Sequence, residues 1–299
     1  MTAKQRARCI VLIPVGPRSD PRFVNDTIAS VFGQMSDVAV VVADNTRDGL
    51  DPVEPGRLQA IEYVRFPSTG KNTTLGRLYF NLTRCFDRIL DTYDFDVLLR
   101  LDDDALVIGP DPDADAVSYF SSHPHVGCLG SFRYTCTGYT RSFAHPAQTL
   151  RHELYSIAAL RHPRRWLALR ALYALARRHG YEDGEHCLGA ACFFSHAALS
   201  AMRAKGLFAN PALVTTGLGD DHMYGLLTRA AGFEIDDFAI GTHPLGVALR
   251  GLPMSPGELV KSGKKIVHSL KDHDGRSQAD LRDEFRRLVR ERDAAHAFA

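Results

Sequence analysis

Apolar runs and helical periodicity alternate through the first hundred residues, and that alternation leaves few folds open. Residues 9–13 are a continuous apolar, β-rich run, residues 25–34 have helical spacing through Ile28, Val31 and Phe32, and residues 38–42 are apolar again. This is a βαβ unit. Residues 61–66 make another strand, 74–90 a helix whose apolar face holds Leu75, Leu78, Leu82, Phe86 and Ile89, and 97–101 the next strand. The pattern predicts an α/β fold with a mostly parallel, doubly wound sheet and helices on both faces, in which ligands gather at the carboxyl ends of the strands.

The second half is less regular. Residues 114–121 read as a helix after the breaker Gly109, Pro110, Asp111 and Pro112, and 126–129 as a strand. Residues 150–179 are helical in pattern, interrupted at Pro163, and rich in arginine (Arg151, Arg161, Arg164, Arg165, Arg170, Arg177, Arg178) around Trp166, Leu167 and Leu169. Three readings of that segment stay open: a solvated helix packed by its apolar stripe, a basic surface toward a membrane, or one toward an anionic acceptor. Strand at 190–194, helix at 197–205, helix at 221–231 closed by Gly232 and strand at 233–240 follow, with a charged, peripheral helix at 277–295.

Composition closes off some classes. Lys and Arg total 36 against 35 Asp and Glu in 299 residues, a net charge of +1, so a dedicated nucleic-acid binder is not expected and any phosphate ligand must be met by local charge. Residues 1–8 are polar and basic, and the apolar run at 9–15 is too short for a membrane span and meets Pro14 early, which points to a soluble, cytoplasmic protein. Cys9, Cys85, Cys128, Cys136, Cys187 and Cys192 form neither a CxxC pair nor a zinc-ligand spacing, so reduced thiols are expected. The sequons at Asn72 and Asn81 are chance matches.

Asp102, Asp103 and Asp104 follow the buried-strand pattern at 97–101 directly. Adjacent carboxylates disfavour one another's ionised form, and desolvation at the end of a buried strand adds to the cost unless a metal or hydrogen-bond donors compensate. In an extended chain Asp102 and Asp104 share one face while Asp103 takes the other. Hard oxygen ligands in that number suit Mg²⁺ or Mn²⁺ carrying a phosphorylated ligand. The alternative is an acidic turn whose side chains cap local amides.

A second acidic pair, Asp220 and Asp221, opens a helix. Either it serves as an N-cap, or one of the two is a general base for an attacking hydroxyl, and one Asp could cap while the other faces substrate. His268, after a strand-like run, is a candidate third metal ligand, with His243 and His222 as rivals. Lys71 and Arg77, beside Gly70 and Gly76, could meet a diphosphate or be solvated surface charges. No P-loop, dinucleotide fingerprint, Gly-x-Ser-x-Gly elbow or zincin motif is present.

Taken in order, these segments resemble nucleotide-sugar glycosyltransferases of the GT-A fold. Ile13-Pro14-Val15, Ser30-Val31-Phe32-Gly33-Gln34 and Val42-Ala43-Asp44-Asn45 are similar to the opening of the family 2 enzymes, and the resemblance gives Asp44 the nucleotide base. Gly70-Lys71-Asn72 through Arg77 resembles the segment whose Arg approaches the nucleotide, so donor binding is implied for Arg77 and Lys71. Asp102-Asp103-Asp104 matches the DxD motif, which assigns Asp104 and then Asp102 to the metal, with Asp102 and Asp103 on the donor. Asp220-Asp221 through Ala231-Gly232-Phe233 resembles the element that supplies the base, assigning Asp221 with Asp220 beside it. The Asp-Asp-Asp, Asp220-Asp221-His222 and Val267-His268-Ser269 elements are also similar to the fringe and β-1,3-galactosyltransferase type, whose late His ligates manganese, a role that falls to His268. The resemblance covers residues 9–270. It departs at Gly16-Pro17, where an asparagine is usual, and it offers no counterpart for the arginine-rich stretch.

The resemblance implies a single domain with a nucleotide-sugar-binding half (1–110), an acceptor-binding and catalytic half (111–270, including the helical insert 150–179) and a helical tail (271–299). It implies a Mn²⁺- or Mg²⁺-dependent hexosyl transfer from a nucleoside-diphosphate sugar, with UDP first, to an acceptor hydroxyl, inverting through Asp221. Alternatives are a nucleotidyltransferase, which would attack phosphorus and release pyrophosphate, and a non-catalytic sugar-nucleotide-binding module.

Overall fold

The computed structural model describes residues 4–50, 60–66, 74–271 and 273–297. A short parallel pairing of β1 (Gln5–Arg6) with β5 (Tyr93–Asp94) flanks the main sheet. The apolar run at 9–13 lies in β2 (Cys9–Val15), which pairs along its whole length with β3 (Val38–Asp44) and on its other side with β6 (Val97–Leu101). A strand bonded on both edges and covered on both faces has no solvent side, which is why it reads as unbroken hydrophobic sequence. Asp20 opens α1 (Pro21–Gln34) by accepting from the Arg22 amide at 2.9 Å, with Pro21 in the first turn. β4 (Ile61–Arg65) adds the edge beside β3, and α2 (Leu75–Thr92) leads back to β6.

Seven strands result in the order β10 (Glu234–Asp237), β8 (Val126–Gly130), β9 (Ala191–Ser195), β6, β2, β3, β4. Only β9 runs antiparallel to its neighbours, so the sheet is mostly parallel, as the sequence pattern predicts, and mixed in the half that holds β8, β9 and β10. One face is covered by α2, α4 (Ala144–Tyr155), α5 (Pro163–Arg178), α6 (His196–Ala204) and α7 (Asp220–Ala231); the other by α1 and α3 (Pro112–Ser122). Among the described residues no helix is long and apolar enough to cross a membrane.

A small second sheet determines where the site forms. β12 (Ile266–His268) lies between β11 (Leu245–Val247), to which it is parallel, and β7 (Leu106–Val107), to which it is antiparallel. The register Val267↔Leu106 carries His268 back alongside the residues that precede β7, which are the acidic triplet.

Several boundaries differ from the sequence reading, each for a local reason. Pro112 and Pro163 start helices rather than break them, because the fixed φ of proline suits the first helical position, where no amide is needed. A 3₁₀ turn at Ile157–Arg161 separates α4 from α5. β10 stops at Asp237 because that carboxylate turns to accept the amides of Phe132 (2.9 Å), Arg133 (3.0 Å) and Tyr134 (3.0 Å). The charged helix expected as peripheral, α9 (Gln278–Ala297), is packed into the molecule by its first turns: Leu281, Phe285 and even Arg282 are fully buried beside α8 (Pro256–Lys261) and β12. The charge of Arg282 is met by Asp26 at 3.1 Å.

Candidate functional site

The chain leaves β6 at Leu101 and turns at once. The Asp102 amide donates to Ala190 O (2.9 Å) on the segment entering β9, and the Ala105 amide donates to Asp102 O (3.2 Å). The triplet therefore sits on a tight turn and not in an extended chain, yet Asp102 and Asp104 still point to one place. His268 Nε2 lies 3.1 Å from Asp104 Oδ1 and 3.5 Å from Asp102 Oδ2. One donor atom from each of the three falls within 4.8 Å of the others. The turn is clamped from behind, where the Asp103 carbonyl accepts from Thr27 Oγ1 (2.9 Å) and from the Arg282 guanidinium (3.2 Å).

The donor set fits a hard divalent cation. His268 Nδ1 faces Ala248 O at 2.8 Å, which assigns the proton to that nitrogen and turns Nε2 toward the carboxylates. Without a cation, Nε2 must also be protonated to sit there, and burial of the imidazole is outweighed by Asp104 and Asp102, which raise its pKa. A divalent ion would take the place of that proton. Burial pushes Asp102 up to about 6 against the pull of Arg100 and His268. Asp104, though its burial opposes ionisation, is held well below the usual carboxylate range by the hydrogen bond and charge of His268 and by Lys271 at 3.1 Å. Ser269 Oγ donates to the remaining Asp104 oxygen at 3.0 Å.

Arg100, which sequence reasoning passed over, joins the two acidic groups. It is 3% exposed in the middle of β6, and its guanidinium donates to Asp102 Oδ1 (2.6 Å), to the Gly189 carbonyl and to Asp220 Oδ2 (2.9 Å). Its charge is strengthened: burial opposes it, but the two carboxylates raise its pKa well above the ordinary value. Burial in turn raises the Asp220 pKa, with Arg100 pulling against it. A lone cation inside an apolar strand was the signal that could have identified it.

Helix α7 presents Asp220 and Asp221 in its first turn after Gly219, which makes no side-chain cap. The pair divides its work, though not quite as a cap and a catalyst. Asp220 is committed to Arg100, whereas Asp221 accepts from the His222 amide at 2.8 Å and keeps 23% of its side chain open to the cleft. Close packing sets the helix in place, since a Cβ on Gly225 would come 2.3 Å from the Glu185 carbonyl. His186 Nε2 stands 3.6 Å from Asp221 Oδ2, and the His186 and His222 rings are 4.4 Å apart. His186, Asp221 and His222 thus form a second set whose donor atoms lie within 4.8 Å of one another, while His243 packs against Phe238 with ring centroids 5.1 Å apart and belongs to neither set.

His186 is almost fully enclosed, its Nδ1 donating to Gly184 O at 2.7 Å and its Nε2 facing Arg141 at 3.1 Å. Burial, with the nearby His222 and Arg141, lowers its pKa from 6.5 to about 3. Between those values the unfolded chain binds the extra proton and the folded chain does not, so stability falls as the pH is lowered through that window, by up to about 1.4 kcal/mol per pH unit. Urea unfolding at stepped pH should show this slope reduced in His186→Asn; an identical slope in the variant would assign the acid sensitivity elsewhere.

Two clefts, each of about 850 Å³, meet at this turn and share Arg18, Arg100, Asp102, Asp103, Asp104 and Lys271. One continues past Gly189, Asp220, Asp221, Arg250 and His268; the other runs over the carboxyl ends of β2 and β3 and along α2 by way of Asn45, Phe66, Thr74, Leu78 and Asn81. Asp44, 2% exposed, accepts from Thr46 N (2.8 Å), Thr46 Oγ1 (2.6 Å) and Leu50 N (3.2 Å), so it shapes the loop that presents Asn45. Arg77 flanks the cleft-lining face of α2 but is not among the residues lining either cleft, and its Nε is buried without a hydrogen-bond partner. Lys71 lies outside the described residues. The exposed cations that do line the clefts are Arg18 and Lys271 at the junction and Arg250 in the first cleft, none with a sequence signal beyond its charge.

No family model and no curated protein matches the chain. Among solved structures it is similar to the crystal structure of a glycosyltransferase involved in the glycosylation of the major capsid of PBCV-1, at 11% identity over 93% of this chain and 98% of that one, with a TM-score of 0.45. Function is accordingly read from the side chains in the cleft.

Proposed function

We propose that this chain is a metal-dependent glycosyltransferase of GT-A type that moves a sugar from a nucleoside-diphosphate sugar, UDP first among them, to an acceptor hydroxyl with inversion. The observation that carries this reading is the convergence of Asp102, Asp104 and His268 within 4.8 Å at the junction of two clefts, with Asp221 in the second cleft. Asp104, Asp102 and His268 would hold Mn²⁺ or Mg²⁺, which when bound supplies charge neutralisation for a departing diphosphate. Lys271 and Arg18, exposed and at the junction, reach the same diphosphate, and Asp103 faces it beside them. The cleft over β2, β3 and α2 takes the nucleoside, with the Asp44 loop, Asn45 and the α2 start, which carries Arg77 and follows Lys71, around it. Asp221 takes the proton of the acceptor hydroxyl for attack on the anomeric carbon, and Asp220, tied to Arg100, fixes the helix turn from which it does so.

Thermal unfolding with UDP-, GDP- and dTDP-sugars, each with and without Mn²⁺, tests the reading. A ligand that binds only the folded state at a hundredfold excess over Kd stabilises it by about 2.7 kcal/mol. One nucleotide sugar is expected to do so only when the metal is present, and Asp104→Asn should abolish the shift. Absence of stabilisation by every pair, or a shift unaffected by Asp104→Asn, contradicts the assignment.

A further inference from the structure

One arginine-rich stretch without any carboxylate of its own takes no part in the cleft. From Leu154 to Tyr181 the sequence holds six arginines and no carboxylate. Arg165 is turned inward to Glu153 (3.3 Å) and Arg177 lies near Asp183 (3.9 Å), but among the described residues Arg161, Arg164, Arg170 and Arg178 form no ion pair. Interleaved with them are large apolar side chains open to solvent: Ile157 is 84% exposed, Tyr155 64%, Leu167 59% and Leu160 58%. On α5 the exposed positions Arg164, Leu167, Ala171, Ala174 and Arg178 recur at three- and four-residue spacing, so they form one face.

This exposure is built and held. Ser156 accepts from the Ala159 amide (3.2 Å) to shape the 3₁₀ turn, Trp166 Nε1 donates to Leu154 O (2.8 Å), and Leu154, Ala159, Leu169 and Leu172 are buried beneath. The turn has an apolar anchor at Ala159 and still directs Ile157 and Leu160 outward.

We propose that the α4–α5 turn and the outer face of α5 dock onto an anionic lipid bilayer, with Tyr155, Ile157, Leu160 and Leu167 entering the headgroup boundary and Arg161, Arg164, Arg170 and Arg178 meeting the lipid phosphates. An amphipathic face that joins arginine to exposed aliphatic side chains matches such an interface on both counts. A soluble anionic polymer would use the charge and leave the aliphatic groups in water, and a second copy of the same face would set arginine against arginine. The surface involves none of the cleft residues, so it stands or falls separately from the transfer reaction.

Co-sedimentation of the full chain with vesicles of phosphatidylcholine alone, and of phosphatidylcholine mixed with phosphatidylglycerol, tests this. Binding is expected to the anionic vesicles only, weakening as salt is raised. Arg161→Gln with Arg164→Gln should lower partitioning roughly 25-fold, about fivefold per arginine, and Ile157→Ser with Leu160→Ser should lower it as well, both variants keeping the wild-type unfolding temperature. The proposal is overturned by failure to sediment, by equal binding to neutral vesicles, by variants that bind as wild type, or by retention on polyphosphate that the serine variant leaves unchanged while vesicles are ignored.

Discussion

Arg100→Met is expected to lower the unfolding free energy by about 3–5 kcal/mol, the usual cost of removing one partner from a buried ion pair. Since a domain is stable by only about 5–15 kcal/mol, the variant should be visibly closer to unfolding at ambient temperature. The reason is the double commitment of the guanidinium, which meets Asp220 at 2.9 Å and Asp102 at 2.6 Å while also donating to the Gly189 carbonyl. Methionine fills much of the same volume, so packing loss is small and the deficit is electrostatic. Burial raises the pKa of both carboxylates, but Asp102 keeps 29% of its side chain exposed and can hydrate, whereas Asp220 keeps 12% and bears most of the cost. Adding Asp220→Asn to Arg100→Met should therefore restore part of the loss, whereas Asp102→Asn should restore less. Denaturant titration of the two double variants decides it, and a single-variant loss under about 1 kcal/mol would show that water, rather than Arg100, satisfies these carboxylates.

With Asp221 as the proposed general base, Asp221→Asn is expected to lower turnover by a factor on the order of 10² to 10⁴ while leaving donor affinity close to wild type, because a general base acts in the transition state and contributes little to ground-state binding. The substitution suits the site. Asn can still accept from the His222 amide as Asp221 does at 2.8 Å, so the helix start keeps its hydrogen bond and only the basicity is lost. Donor hydrolysis, with water in place of the acceptor, gives an assay that needs no acceptor, and calorimetric donor titration gives the affinity. Turnover within threefold of wild type would reduce Asp221 to a structural member of the α7 start. Asp220→Asn makes the useful contrast, since weakening its contact with Arg100 should register in stability as well as in rate.

The α/β class and the rim on which the acidic groups lie could be read from the sequence because strand burial leaves an unbroken apolar record, as in β2 and β3. The Asp102, Asp104 and His268 set could be named because its members are chemically conspicuous, the carboxylates just after a strand and the imidazole at the end of one. What could not be read is the route by which they meet. Alternation along an extended chain puts Asp102 and Asp104 on one face, whereas the structure brings them together through a turn closed by the Asp102 carbonyl. The packing of α9 was hidden because Arg282 looks like a solvent residue in a charged helix, and only the tertiary partners Asp26 and the Asp103 carbonyl explain its burial. The cleft cations Arg18, Arg250 and Lys271 are ordinary surface residues until the fold brings them to the acidic turn.

The contact between His268 and Asp104 spans 164 positions of chain. Loop-closure entropy must be met before so distant a contact rewards it, and folds rich in such contacts assemble slowly. A nascent chain carries the three aspartates before it carries the imidazole that faces them, or the Arg282 that holds their turn. The centre therefore acts as a record of completion: only molecules whose two sheets have both docked can offer all three donors at once.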